Sequence, residues 1–357
     1  MKKNFLKLLA IFTVVLFTGV FISCGGDDDP AETVDKTELN ALVSTCQALV
    51  DAASTDDYTQ ESINAFQTTI TTVSIAADAA TTQITITNLI TQLTNAQETF
   101  LASELDVIPE EALLLGMTFD ETIASNKFTT EGLGWTAELK EGESAIFGTA
   151  TNYPSVTSGK VGNAMYFSNG SHLEISDYAK TSLQGKYISI AVWVKPDSTR
   201  AGNYIISYNY WNSWKFQLQE QNKPFFTVHT NAEGWVDADN ESDFSAPNKE
   251  WTHLAVTMDL SNYLLNFYIN GELTKTWDAT GKPGLTGSGA YDYASTLPLI
   301  VGACTTYAEA SSAWTWTWNQ TPGGWDSFIG YMDELKVYNI ALTAGQVTKL
   351  YNSEKGE

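Results

Sequence analysis

The sequence is poor in the residues that build metal centres and nucleophilic active sites. It contains three cysteines and three histidines in 357 residues. Cys24, Cys46 and Cys304 lie far apart and show no paired spacing, so neither a disulfide framework nor a zinc site is predicted. The histidines are equally scattered, and His253 falls inside a strand pattern. We therefore expect neither a zinc hydrolase nor an enzyme with a Cys-His nucleophile.

Basic residues are also scarce. Nineteen Lys and Arg stand against 42 Asp and Glu, which gives a formal net charge of −23. An acidic surface repels phosphate backbones and anionic lipid headgroups. Nucleic-acid binding and a basic membrane-surface role are therefore disfavoured, and the acidity is typical of a secreted protein that must stay soluble.

Long apolar runs are missing except at the N-terminus. Lys2, Lys3 and Lys7 precede an apolar run over residues 8–22. This pattern predicts a secretory signal peptide over residues 1–23, because the run is short and badly flanked for a mature transmembrane helix.

The end of that run, Phe21-Ile22-Ser23-Cys24, resembles a bacterial lipobox, in which the cysteine is lipidated and becomes the new N-terminus. Acyl chains anchor a protein because each buried methylene contributes ~0.8 kcal/mol. Residues 24–35 are then an acidic tether, and GGDDDP at 25–30 resembles the stretch that marks export in Bacteroidota lipoproteins. The resemblance implies a protein held in the outer membrane only by its lipid and facing outside the cell. A plain solvated linker is the alternative.

Residues 36–106 contain no Trp, Gly or Pro. Apolar residues recur at helical spacing in three stretches, and such narrow stripes are best buried against one another, so a three-helix bundle is predicted. Thr59 is the expected N-cap of the second helix. Leu39, Leu42 and Leu49, followed by Tyr58-Thr59, resemble the FIVAR module, which implies a stalk. Cys46 lies on an apolar stripe and is expected to be an inert core thiol.

Beyond Pro109 the hydrophobic period changes from 3.6 to 2. Residues 251–271, WTHLAVTMDLSNYLLNFYING, contain two alternating strands. Asn270-Gly271 then provides the positive φ angles of a tight hairpin turn, and Glu272 to Trp277 returns as a third strand. About twelve short strands separated by turn signals predict two stacked antiparallel sheets.

The same stretch, W-x-H-x-A-V-T-x-D … Y-x-N-G, resembles the laminin-G-like, concanavalin A-like lectin/glucanase superfamily. GKVGNAMYFSNG at 159–170, ISIAVWVKP at 188–196 and YMDELKVY at 331–338 extend the resemblance over about 113–353. It implies an all-β concanavalin A-like jelly-roll sandwich of two antiparallel sheets at 112–355, preceded by the small three-helix bundle. Ser168 and Asn169 stand where the family motif has an aspartate. A short closing helix is predicted after Thr343, which begins a capping box.

Carboxylates in the spacing of known glucanases are absent. Glucanases of this superfamily carry Glu-x-Asp-x-x-Glu on one strand face, which brings a nucleophile and a general acid together. The nearest run, Glu241 to Ala246, lacks the second glutamate, and no Gly-x-Ser-x-Gly occurs. We expect a protein that is not an enzyme. A glycoside hydrolase or lyase with unfamiliar carboxylates is the alternative.

Two aromatic clusters are candidate sugar-binding sites. Flat aromatic rings pack against the apolar faces of pyranose rings, and neighbouring amides bind hydroxyls. The candidate ligand-binding residues are Tyr208, Tyr210, Trp211, Trp214, Trp314, Trp316, Trp318 and Trp325. The prediction is capture of a glycan or polysaccharide. An aromatic β-core is the alternative for these rings, and an adhesin that binds a protein partner is the alternative for the function.

A structural Ca²⁺ ion is implied by the resemblance, since this superfamily commonly ties its first and last strands together with one. Asp333, in YMDE, matches the family position, and Asp120, in TFDE, is a plausible second ligand. Hard oxygen ligands suit calcium. Two ordinary surface aspartates are the alternative.

Overall fold

The structure is a computed structural model that describes residues 34–55, 57–230, 234–289, 296–313 and 325–356. The predicted signal peptide, the lipidation site Cys24 and most of the acidic tether lie outside the described residues. So do Trp314, Trp316 and Trp318. Within the described ranges, no helix combines the length and hydrophobicity needed to cross a membrane.

Three amphipathic helices precede the sandwich, as predicted: α1 Thr37–Ala52, α2 Gln60–Ala79 and α3 Gln83–Ala102. The Thr59 side chain accepts a hydrogen bond from the Ser62 amide, which confirms it as the N-cap of α2. The apolar stripes meet in a common core that contains Cys46. Burial raises the pKa of this thiol to about 11, as expected of an inert core cysteine. The FIVAR resemblance and the boundaries of this domain stay predictions.

The rest of the described chain forms two antiparallel sheets, which confirms the predicted sandwich. One sheet has the order β15-β14-β13-β8-β17-β1-β3, with β6 paired to β17 and β5 to β6. Its strands are β1 Leu113–Met117, β3 Glu131–Gly132, β5 Ser155–Ser158, β6 Asn163–Phe167, β8 Tyr187–Pro196, β13 Thr252–Asp259, β14 Leu264–Ile269, β15 Glu272–Asp278 and β17 Gly330–Tyr338.

The other sheet has the order β12-β11-β10-β9-β16-β7-β4-β2. Its strands are β2 Lys127–Thr129, β4 Thr136–Lys140, β7 His172–Ile175, β9 Asn203–Tyr208, β10 Trp214–Gln219, β11 Lys223–Thr230, β12 Gly234–Asp239 and β16 Leu299–Val301. Short helices α4 Ser144–Phe147 and α5 Tyr307–Ala313 lie in the connections.

The main hydrophobic core lies between the two sheets and is filled by alternate residues of both. The predicted hairpin turn is present, with φ of 51° at Asn270 and 80° at Gly271. The closing helix α6 Ala344–Glu354 begins with the predicted capping box between Thr343 and Gln346. It packs through Val347 and Leu350 on a small cluster that includes residues of β8 and β13.

Candidate functional site

A groove with a volume of about 820 Å³ lies on the outer face of the eight-stranded sheet, over β9 to β12. Side-chain alternation in β10 creates it. Trp214, Phe216 and Leu218 point into the sandwich core and are fully buried. Lys215 and Gln217 therefore point to the other face, where they line the groove.

Strand register sets the polar floor of the groove. Lys215 lies opposite Ser207 of β9 and Thr227 of β11, and Thr227 lies opposite Asp237 of β12. One row of polar side chains thus crosses four strands. Within that row the Thr227 hydroxyl donates a 2.5 Å hydrogen bond to Oδ1 of Asp237.

A second row beside it is more aromatic. Gln217 lies opposite Tyr204 of β9 and Phe225 of β11. The Gln217 amide donates to the Ala201 carbonyl at 3.0 Å, which turns its own carbonyl oxygen toward Lys215. A bulge between Phe216 and Gln217 shifts the pairing and brings Tyr204 to this position.

Two indoles border the groove. The Trp235 ring stacks on His229, with ring centroids 4.7 Å apart and an interplanar angle of 17°. The indole Nε1 of Trp235 donates to the Trp211 carbonyl oxygen at 2.5 Å. This hydrogen bond holds the Trp235 ring nearly parallel to the His229 ring. Trp235 is nevertheless 52% exposed, and Trp211 is half-buried. The rim therefore presents a large, oriented apolar surface to solvent.

Lys215 is the unusual residue of the floor, since its side chain is only 6% exposed. Its Nζ lies 4.6 Å from the Phe225 ring centroid and 5.3 Å from that of Tyr204, and it donates to Oε1 of Gln217 at 2.5 Å. Burial lowers the pKa of this ammonium to about 8, and the Asp237 carboxylate opposes that shift. The groove thus places a desolvated cation between two aromatic rings.

Two of the predicted aromatic residues lie in the core instead. Tyr208 and Trp214 are fully buried between the sheets. The Trp214 indole donates to the Leu183 carbonyl at 3.1 Å, and the Tyr208 ring packs edge-on against Tyr178. These two rings belong to an aromatic β-core, the alternative to a ligand site, because the alternation of β9 and β10 turns both inward.

Trp325 and Tyr210 are also buried, at 1% and 6% exposure. The Trp325 indole donates to the Thr305 carbonyl at 2.7 Å within a small cluster of its own. The Tyr210 hydroxyl donates to Glu309 of α5 at 3.1 Å. These two rings are also core residues and not part of a ligand site, because the connections around α5 cover them. Trp211 alone among the described candidates lines the groove.

Sequence reasoning missed Trp235, Lys215, Gln217, Phe225 and Asp237. Period-2 alternation carried the signal. In WKFQLQ (214–219) and GWVDAD (234–239) the core-facing residues alternate with Lys, Gln and Asp. In VHT (228–230), between these two segments, His229 lies on the same outer face. Assigning Trp214 to the core would have placed the polar residues of β10 together on the opposite face.

Asp333 and Asp120 both hold the turn over residues 159–163. Oδ2 of the fully buried Asp333 accepts the amides of Lys160 and Val161 at 2.8 and 2.9 Å. Asp120 accepts the amide and the side-chain Nδ2 of Asn163 at 3.0 and 2.7 Å. Gly162 has a φ of 54°, and a Cβ there would lie 2.3 Å from Asp120. The two carboxylates thus tie this turn to β17 and to the segment that follows β1.

A cation at Asp333 would bind Oδ1, the carboxylate oxygen that does not hold the 159–163 turn. Oδ1 is buried and has no hydrogen-bond partner within the described residues. Burial raises the pKa of this carboxyl to about 7. No group of three or more His, Cys, Asp or Glu side chains suited to a metal occurs in the described part of the chain. Calcium binds carboxylate and backbone carbonyl oxygens, and Asp333 Oδ1 is an oxygen of this kind that the turn leaves unused.

The comparison with protein families agrees with the sandwich architecture. Residues 167–294 match the Laminin_G_3 family, described as the concanavalin A-like lectin/glucanases superfamily. No curated protein matches the chain. Topology and family match together define a concanavalin A-like β-sandwich preceded by a helical module.

Similar solved structures are distant. Domain 4 of AbnA, a GH43 extracellular arabinanase from Geobacillus stearothermophilus, solved with arabinotriose, is 20% identical; the alignment covers 67% of this chain and 98% of that one, with a TM-score of 0.46. The binding domain of Paraclostridial Mosquitocidal Protein 1 is 16% identical, with 68% and 52% covered and a TM-score of 0.47.

The receptor binding domain of botulinum neurotoxin mosaic serotype C/D is 14% identical, with 68% and 51% covered and a TM-score of 0.45. The chain spans about half the length of these two toxin domains.

Proposed function

We propose that the protein binds carbohydrate in the groove over β9 to β12. The observation that carries the proposal is the exposed, oriented indole of Trp235 beside a floor of ammonium, amide and carboxylate groups. Sugar rings have apolar faces and polar edges, so they need an aromatic plane and nearby hydrogen-bonding groups at once. Burial of one indole face under a pyranose ring contributes roughly 1 to 2 kcal/mol to the free energy of binding, at ~25 cal/mol per Å² of apolar surface.

The groove supports binding better than catalysis. A glycosidase needs two carboxyl groups placed on either side of the scissile bond. On the floor of the groove Asp237 accepts the Thr227 hydroxyl, so this carboxylate serves as a hydrogen-bonding group. The sequence also lacks Glu-x-Asp-x-x-Glu. We therefore propose a binding protein and not an enzyme.

Affinity electrophoresis in gels that contain single polysaccharides tests the proposal. We expect at least one polysaccharide to retard the wild type and Trp235→Ala to lose that retardation. Tyr153→Ala is the matched control, because Tyr153 is 43% exposed, precedes β5 of the other sheet and does not line the groove. Retardation of Trp235→Ala equal to that of the wild type would overturn the proposal.

We place this binding domain on the cell surface, with the helices α1 to α3 as a stalk and the Cys24 lipid as the anchor. The lipobox-like Phe21-Ile22-Ser23-Cys24 and the acidic tether support this proposal. Metabolic labelling with radioactive palmitate should mark the wild type and not Cys24→Ala. Protease treatment of intact cells should degrade the protein if it faces outside.

We also propose a structural Ca²⁺ ion at Asp333, with Asp120 as the second side chain of the site. Oδ1 of Asp333 would be the anionic ligand, and the ion would remove the cost of burying an unpaired carboxylate oxygen. Its role would be to hold the 159–163 turn against β17.

A further inference from the structure

Burial of the Lys215 ammonium lowers the stability of the fold, and an uncharged side chain of similar size would pack in the same place. The side chain is 6% exposed and lies between the rings of Phe225 and Tyr204. A methionine would fill the same space without an ammonium to desolvate. Burying a charge is expensive unless it is paired, and the hydrogen bond to Gln217 uses one of the three N–H donors of the ammonium. Within the described residues the ammonium makes no other hydrogen bond, and it lies on the floor of the groove.

Acceptor groups lie in the same row. Asp237 is two strands away from Lys215, roughly 10 Å between backbones at ~4.8 Å per strand, and both side chains line the groove. Thr227, between them, donates to Oδ1 of Asp237. A carboxylate has two oxygens and about four lone-pair sites, so Asp237 retains capacity to accept from a ligand.

The charge of the groove argues against an acidic ligand. Two lysines, Lys215 and Lys223, line it together with three carboxylates, Glu220, Asp237 and Asp326. The protein as a whole carries a net charge of −23. A uronic acid, sialic acid or sulfated sugar would therefore bring a further negative charge to a site in which carboxylates already outnumber ammonium groups.

We propose, building on the proposed carbohydrate-binding function, that the groove is specific for an uncharged glycan whose hydroxyls are read by Lys215 as donor and Asp237 as acceptor. A sugar hydroxyl both accepts and donates, so it can complete hydrogen bonds to an ammonium and to a carboxylate. The aromatic rim would bind the apolar face of a sugar ring. Lys215 and Asp237 would then determine which hydroxyl positions of that sugar can form hydrogen bonds. Lys215 is the specificity-determining residue, because it is held in place by Gln217 and by two rings.

The experiment combines a ligand panel with paired substitutions. Dissociation constants are measured for neutral polysaccharides (arabinan, xylan, mannan, mixed-linkage β-glucan) and for acidic ones (polygalacturonate, alginate, chondroitin sulfate), at 50 and 500 mM NaCl. The wild type should bind a neutral polysaccharide with little salt dependence. Lys215→Met should weaken that binding about 10- to 100-fold, the loss of one charge-assisted hydrogen bond, and should melt at the same or a higher temperature. Asp237→Asn should also raise the dissociation constant for the neutral polysaccharide.

Lys127→Met is the control, because Lys127 lies on β2 at the far edge of the same sheet, pairs with Glu138 at 3.5 Å and does not line the groove. Its affinity should stay close to that of the wild type. Salt-sensitive binding to acidic polysaccharides alone, lost in Trp235→Ala, would overturn this inference and leave carbohydrate binding in place. Lys215→Met with unchanged affinity and a lower melting temperature would show a structural lysine and also overturn it. No binding to any polysaccharide would overturn the carbohydrate proposal and this inference together.

Discussion

Trp235 lies stacked on His229, with ring centroids 4.7 Å apart, while its indole nitrogen bonds to the Trp211 carbonyl. One face of the indole is thereby occupied and its orientation fixed, yet 52% of the residue remains exposed. A preorganised aromatic surface loses little side-chain entropy when a ligand covers it. The rim of the groove therefore has the rigidity that a weak, face-on contact with a sugar requires.

Trp214→Ala should destabilise the whole protein rather than impair binding selectively. The ring is fully buried, and replacing such a core tryptophan costs about 3 to 5 kcal/mol. We expect a correspondingly lower urea midpoint in equilibrium unfolding. Trp235→Ala, at the exposed rim, should change the free energy of unfolding by less than about 1 kcal/mol. A Trp214→Ala protein of wild-type stability would contradict the core assignment.

Lys215 should make the free energy of unfolding depend on pH in the alkaline range. Its pKa is lowered from 10.5 to about 8 in the fold, with Asp237, Cys304 and Asp326 as the groups that oppose the shift electrostatically. Between these two pH values the unfolded state binds more protons, so the free energy of unfolding should rise with pH. The shift corresponds to about 3 kcal/mol at ~1.4 kcal/mol per pH unit.

Lys215→Met removes this titration and serves as the reference. Urea unfolding from pH 7 to pH 10.5 should show the variant more stable than the wild type at pH 7 and the difference shrinking above pH 8. A difference that stays constant across that range would show that the lysine is not desolvated in the folded state.

Removal of calcium should destabilise the wild type. With EDTA present we expect a lower melting temperature, because Asp333 Oδ1 would lose its cation and the 159–163 turn would loosen. The melting temperature of Asp333→Ala should be the same with and without the chelator. Identical wild-type curves in calcium and in EDTA would remove the proposed ion.

The helical module offers a prediction of its own. Thr59 caps α2 by accepting from the Ser62 amide at 3.1 Å. Thr59→Ala should lower the stability of the bundle by about 1 kcal/mol, whereas Thr59→Ser should keep most of it, because a hydroxyl at the N-cap is retained. Hydrogen exchange of α2 amides measures the effect locally. Equal protection in the alanine and serine variants would mean that the cap contributes nothing.

Local chemistry made the architecture predictable. Asn270-Gly271 demands positive φ, Thr343 and Gln346 form a capping box, and alternation in residues 251–271 requires strands. Each of these features depends on near neighbours in the sequence. The three helices and the two antiparallel sheets follow from such features and from their hydrophobic period.

The binding surface depends on relationships that the sequence does not display locally. Aromatic residues beside amides appear exposed in the sequence, but the face to which Tyr208 and Trp214 point is set by pairing across β9 and β10. The bulge between Phe216 and Gln217 decides that Tyr204 comes opposite Gln217. Trp325 is covered by residues that are close only in the fold. A composition-based search therefore selected Trp214 and Trp325, which are buried, and passed over Trp235 and Lys215.

The most direct test of carbohydrate binding at the groove is an NMR titration of the tryptophan indole N–H signals with an oligosaccharide of the retained polysaccharide. Trp235→Phe assigns the Trp235 signal by its absence. We expect the Trp235 signal to shift with saturation, while the buried Trp214 and Trp325 signals stay in place. An unshifted Trp235 signal under saturating ligand would contradict the proposal that the sugar lies across this ring.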